Sequence, residues 1–95
     1  MRLSISDAAR RDLRSLYDYG VDNYGRQSAN QYLDAITLAI ERIPDWPLAN
    51  RLRTEVRPPV RLFAHAAHNV FYDVRSDEVE IIRVLHHAAD WVNIL

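Results

Sequence analysis

Four histidines and a set of arginines are the residues of this 95-residue chain with the types and spacing for chemistry. His65 and His68 flank a short "HAAH" stretch, and "RVLHH" puts Arg83 close to His86 and His87. One imidazole can take the proton of a ribose 2′-hydroxyl while another donates to the leaving oxygen. Guanidinium groups can hold the charge of the phosphorane between them. Arg57, Arg61, Arg83 and His86 are therefore the candidate catalytic set of an endoribonuclease. The blander reading makes them strand ends and salt-bridge partners, and charge favours it. Against 13 acidic residues the 12 cations leave a formal charge of -1. Proteins that grip a polyanion through many phosphates carry a positive field instead.

Other chemistries find less support. Strand alternation points His86 and His87 to opposite sides, so one metal ion cannot take both while the strand persists. No acid stands at HExxH-type spacing beside them, and neither a metal nor a cofactor is expected. The chain has no cysteine, which excludes a disulfide scaffold and thiolate catalysis. There is no glycine-rich phosphate loop and no serine in a nucleophile elbow. Asp7, Asp12 and Asp18 read as the solvated face of a helix, and Tyr72 in "VFYDV" as a packed ring rather than a catalytic phenol. Every cation is arginine, and Arg51, Arg53, Arg57 and Arg61 against Glu55 give a net +3 between residues 51 and 61. Guanidinium groups form planar bidentate pairs with carboxylates, which suits a protein–protein surface.

The elements that must position these residues follow from periodicity. "RLSIS" (2–6) alternates and reads as a strand. Ser6 and Asp7 start a helix over 7–23, with Ala9, Leu13, Leu16, Tyr17, Gly20 and Tyr24 as its apolar stripe and Gly25 as its end. A second helix over 26–43 carries Ala29, Tyr32, Leu33, Ile36, Ile40 and Ile43, and Pro44 stops it. The short connection makes the two an antiparallel hairpin. Residues 44–60 hold all four prolines and read as an irregular connection, with Trp46 tucked against the helix ends. Strands follow at 60–64, 68–74 and 79–86, the last two joined by the tight turn 75–78. The final strand has Val79, Ile81 and Leu85 on one face and Ile82 and Val84 on the other. A strand apolar on both faces is covered on both. The expected architecture is a single α+β domain over 1–95, β-α-α-β-β-β, with the helical hairpin packed on a mostly antiparallel sheet. No apolar run approaches the roughly 18 residues of a membrane span, and "MRLSISDAARRDL" lacks a signal-peptide stretch, so a cytoplasmic protein without membrane contact is expected.

The order of motifs resembles the ParE branch of the ParE/RelE toxin superfamily of bacterial toxin–antitoxin systems. The likeness rests on "SDAARRDL", "YGVDNYG", "SANQYLDAI", "RPPVR", "HNVFYDV" and "VEIIRVLHHAAD", and spans about residues 3–90. Within it stand Asp12–Leu13, the break Tyr24–Gly25, and Arg83 to His86 followed by Asp90. Arg57–Pro58–Pro59 replaces the Arg-Pro-Gly common in the family; proline fixes φ near about -65° where glycine does not, so the strand entry differs.

The resemblance implies a RelE/ParE-like fold and a toxin that poisons DNA gyrase, trapping it on cleaved DNA. It implies a ParD-like antitoxin as hetero-oligomeric partner, and DNA met only through antitoxin or gyrase. The RelE branch shares the fold but cleaves mRNA in the ribosome with a basic catalytic set, and this lysine-free chain of charge -1 suits it less. On the ParE reading the chain inhibits a protein and is not an enzyme, and Arg57, Arg61 and Arg83 are charge partners, with Tyr17 and Trp46 as apolar contacts.

Overall fold

A computed structural model describes every residue from Met1 to Leu95. Strand β1 (Arg2–Ile5) leads through Ser6 into helix α1 (Asp7–Tyr24). The Ser6 Oγ accepts the Ala9 N–H at 3.0 Å, satisfying a donor that the first turn leaves free. The same hydroxyl donates to the Ile82 carbonyl at 2.7 Å, so one side chain caps the helix and ties it to the last strand. Gly25, at φ +90°, turns the chain directly into α2 (Arg26–Arg42). The helices come close where Gly20 meets Ala29: a Cβ at Gly20 would lie 3.2 Å from the Ala29 Cβ.

A 3₁₀ turn (Ile43–Asp45) closes the hairpin. Then come β2 (Leu52–Arg53), β3 (Val60–His65), β4 (His68–Arg75), β5 (Glu78–His86) and the short helix α3 (Trp91–Ile94). The sheet order is β1-β5-β4-β3-β2, with β1 parallel to β5 and the other pairs antiparallel. The expected α+β architecture is present, with two additions. The proline-rich stretch contributes the two-residue β2, and α3 follows the last strand. No helix is long and apolar enough to cross a membrane.

Both faces of the sheet are covered. On one, Ala9, Ile36 and Ile40 of the hairpin pack on Val70, Tyr72 and Ile81. On the other, Phe71 and Leu85 meet Val56 and Val60, with Trp91 and Leu95 laid over them; the Phe71 and Trp91 ring centroids are 5.3 Å apart.

A β-bulge changes the expected facing of β5. Phe71 lies opposite Arg83 and Tyr72 opposite Ile81, which leaves Ile82 without a partner. The extra residue reverses the alternation beyond it. Val79, Ile81 and Val84 therefore face the helices, and Ile82 and Leu85 the α3 side, so Val84 and Leu85 exchange the faces expected for them.

Two aromatic positions also differ from expectation. Trp46 does not tuck against the helix ends but is 78% exposed. The buried Ile43 already closes that end of the core, and the chain turns outward before Trp46. Tyr24, placed on the apolar stripe by its spacing, is exposed at the last residue of α1.

Candidate functional site

Asp12 is not on a solvated face. It stands three residues after the buried Ala9 and one before Leu13, which puts it beside the apolar stripe of α1. Its carboxylate takes Arg83 bidentately, Nε to Oδ2 at 2.7 Å and Nη2 to Oδ1 at 3.0 Å. The Val84 N–H donates to the same Oδ2 at 2.9 Å. The bond to Asp12 holds the Arg83 guanidinium above its ordinary value, outweighing the opposite effect of burial. Arg83 is thus a fixed cation with its charge balanced inside the fold.

The other arginines of the candidate set lie elsewhere. Arg61 donates to the Asn50 carbonyl at 2.6 Å, bracing the loop before β2. Arg57 is exposed and shares with Arg83 a hollow of about 260 Å³ on the α3 side, together with Val56, Pro58 and Ile94. His86 instead lines a groove of about 740 Å³ between the helical hairpin and the ends of β4 and β5. Arg57 and His86 therefore line separate cavities. Tyr17 is half-buried on α1, outside both apolar clusters.

The groove gathers residues that spacing did not bring together. Leu16, Tyr19, Tyr32, His68 and His86 line it. The Tyr32 Oη is 2.7 Å from His68 Nδ1 and 3.3 Å from the His65 carbonyl. The His68 and His86 ring centroids are 5.7 Å apart, and those of His86 and His87 only 4.4 Å. The expectation that His86 and His87 diverge fails because β5 ends at His86, and alternation does not extend past a strand's end. No group of three or more His, Cys, Asp or Glu is placed to hold a metal ion.

The electrostatics of this cluster favour a neutral ring at His68. Burial lowers the His68 pKa below 6.5, and the neighbouring imidazoles of His86, His65 and His87 lower it further. Burial likewise raises Tyr32 above 10.0. The Ala88 N–H donates to His86 Nδ1 at 3.1 Å, which leaves the proton of a neutral ring on Nε2. The arrangement is a hydrogen-bonded Tyr32–His68 pair with the His86 ring packed beside it, suited to passing a proton or to packing against an apolar partner. It has no cation of its own with which to hold a phosphate.

A family model described as the ParE toxin of the type II toxin–antitoxin system, parDE, matches residues 3–91. The chain belongs to the ParE toxin family. Toxin ParE1 of Mycobacterium tuberculosis is 33% identical over 90 residues, 94% of this chain and 92% of that protein. Toxin ParE1 of Caulobacter vibrioides is 33% identical over 84 residues, covering 88% and 86%. A solved structure described as the chromosomal ParDE TA system from P. aeruginosa superposes with a TM-score of 0.80 over 90% of this chain and 95% of that one. At 22% identity that likeness speaks for the fold. The resemblance carried by "SDAARRDL" through "RVLHHAAD" is borne out. The matched ParE span contains Asp12 and Arg83 and ends on Trp91, the ring that covers Phe71.

Sequence reasoning missed Asp12 and the Tyr32–His68 pair in this ParE toxin. Asp12 had a usable signal, since spacing sets it against the apolar stripe and an arginine in a doubly covered strand needs a carboxylate. Tyr32 and His68 are 36 residues apart and gave none.

Proposed function

We propose that this ParE toxin inhibits DNA gyrase by trapping it on cleaved DNA, and that a ParD-like antitoxin holds it inactive. Membership of the ParE family supports the reading, and the likeness to the ParDE system of P. aeruginosa supports the choice of partner. The observation that carries the choice of target is the Arg83–Asp12 pair. The arginine nearest the histidines is committed to an internal carboxylate, so the cation that RNA cleavage would require is not offered beside His86.

The protein then works in the cytoplasm, where gyrase and the antitoxin are met, and it reaches DNA only through one of them. Arg57 and Trp46, both exposed, are its outward contacts; Arg61, Arg83 and Tyr17, less exposed, contribute at their edges. The antitoxin segment folds on binding, laying an apolar face into a groove and pairing its acids with toxin arginines.

Purified protein incubated with gyrase, ATP and supercoiled plasmid tests this. Linear DNA released after denaturing the protein is the expected result. Unimpaired supercoiling with no cleaved DNA would overturn the gyrase reading. The cluster of Tyr32, His68 and His86 favours one second reading, a ribosome-dependent endoribonuclease with those side chains as proton donors and acceptors. Codon-positioned mRNA cuts in a toeprint, lost in His68→Ala, would establish it in place of gyrase inhibition.

A further inference from the structure

Residues 46–53 read "WPLANRLR", an apolar pair followed by two arginines around a leucine. The segment is held firmly. The Oη of the buried Tyr72 donates to the Pro47 carbonyl at 2.9 Å and accepts from Asn50 Nδ2 at 3.2 Å. Arg61 fastens the Asn50 carbonyl at 2.6 Å, and the Ala49 N–H closes a turn onto the Trp46 carbonyl at 3.1 Å. Yet this pinned loop leaves Trp46 78%, Leu48 64% and Leu52 41% exposed. Large apolar side chains on an ordered loop, with little conformational freedom left to lose, are the anchors that protein interfaces use.

The loop runs into β2, the last strand of the sheet, whose outer edge has no strand beside it. Such an edge offers backbone groups to an incoming strand. Here the edge carries Arg51 and Arg53, and the adjoining Arg57 extends the charge against the single acid Glu55. Arg53 itself is poorly matched. Its Nε is buried without a hydrogen-bond partner, and its Nη1 reaches Glu55 only at 3.8 Å. The Nε has lost water without a hydrogen bond in return. The side chain, still 28% exposed, has outer nitrogens that an incoming carboxylate can pair. A second copy of the same edge would bring arginine against arginine, so the charge selects against self-pairing and for an acidic strand.

We propose that the outer edge of β2 is a docking strand for an extended, acidic segment of a partner protein, with Trp46 as its apolar anchor and Arg51 and Arg53 as its charge readers. The segment adds a strand beside Leu52–Arg53, places an apolar side chain on Trp46 and Leu48, and sets carboxylates on the arginines. This surface lies apart from the histidine-lined groove and operates whichever protein supplies the segment, so it does not depend on gyrase being the target.

The test is titration of the intact protein into a fluorescein-labelled ten-residue peptide of alternating glutamate and valine, followed by anisotropy. Saturable binding that weakens with salt is expected. So is a loss of about tenfold or more in affinity for both Trp46→Ala and Arg53→Gln, with amide shifts centred on residues 50–54. Because Trp46 is exposed, Trp46→Ala should keep the parent's circular dichroism and melting temperature. No binding, equal binding by the variants, or equal binding of a peptide with lysine in place of glutamate would each overturn the proposal. Self-association of the protein alone that Trp46→Ala abolishes would overturn it too, giving the edge to a second copy.

Discussion

Arg83 and Asp12 grip each other across the boundary between the first helix and the last strand, through two hydrogen bonds of 2.7 and 3.0 Å. Asp12 also receives the Val84 N–H, so one carboxylate satisfies a side chain and the backbone next to it. Asp12→Ala leaves a half-buried cation and an N–H without a partner. A loss of about 2–4 kcal/mol in a urea titration is expected. Pairing Asp12→Leu with Arg83→Met removes both charges together and should recover much of that loss. A double variant no more stable than Asp12→Ala would show that the pair acts through something other than mutual compensation.

Acid should weaken the fold through His68. Burial holds its folded pKa below the ordinary 6.5, so the unfolded chain takes up the proton first. The stability that neutral His68 confers is complete above that ordinary value and is lost as the pH falls through it towards the folded pKa. The groups facing His68 are Tyr32, His65, His86 and His87; Asp12 lines the same groove but is committed to Arg83. The urea midpoint should be lower at about pH 5.5 than at about pH 7.5, and His68→Gln should flatten the difference. A midpoint equally pH-dependent in His68→Gln would place the effect on other groups.

Tyr72→Phe keeps the buried ring and removes only the hydroxyl. The Pro47 carbonyl and the Asn50 amide then lose their partner, at a cost of about 1–2 kcal/mol. The loss should be local as well as global. Amide exchange at Ala49, whose N–H bonds the Trp46 carbonyl, should quicken more than exchange in β4.

The turn between β3 and β4 offers a gain. Ala66 is exposed and sits at φ +49°, where a Cβ is strained and glycine is not. Ala66→Gly should stabilise the protein by about 0.5–1 kcal/mol, read as a higher urea midpoint. A lower midpoint would mean that the added freedom of glycine in the unfolded chain outweighs the relieved strain.

Local signals made most of the architecture legible. Ser6 before Asp7, the short link at Gly25, Pro44 and the turn before β5 each act through neighbouring residues, and each falls where spacing predicted. The failures involve partners distant in sequence. Nothing in "VEIIRVLH" marks Ile82 as the residue left out of the ladder, because a bulge is settled jointly with β4. His87 escaped alternation because the strand's end depends on where pairing with His68 stops. The two-residue β2 is too short for a period and exists only because β3 lies beside it. Of the candidate site, the inward pairing of Arg83 was legible as one option, since a strand covered on both faces leaves an arginine few other places. Its partner was hidden by reading Asp12 with Asp7 and Asp18 as one solvated face.

The pairing of β1 with β5 has a consequence for the order of events at synthesis. Ser6 and Ile82, joined by a hydrogen bond, are 76 positions apart, and β5 lies between the first strand and β4. A nascent chain that has not yet emitted β5 has no neighbour for β1, no ladder for β4 beyond β3, and no Arg83 for Asp12. Its helical hairpin can form, but the layer it packs against cannot. Contacts of such long range close late, so the sheet and the layer of helices on it are completed together, and only once β5 has been made.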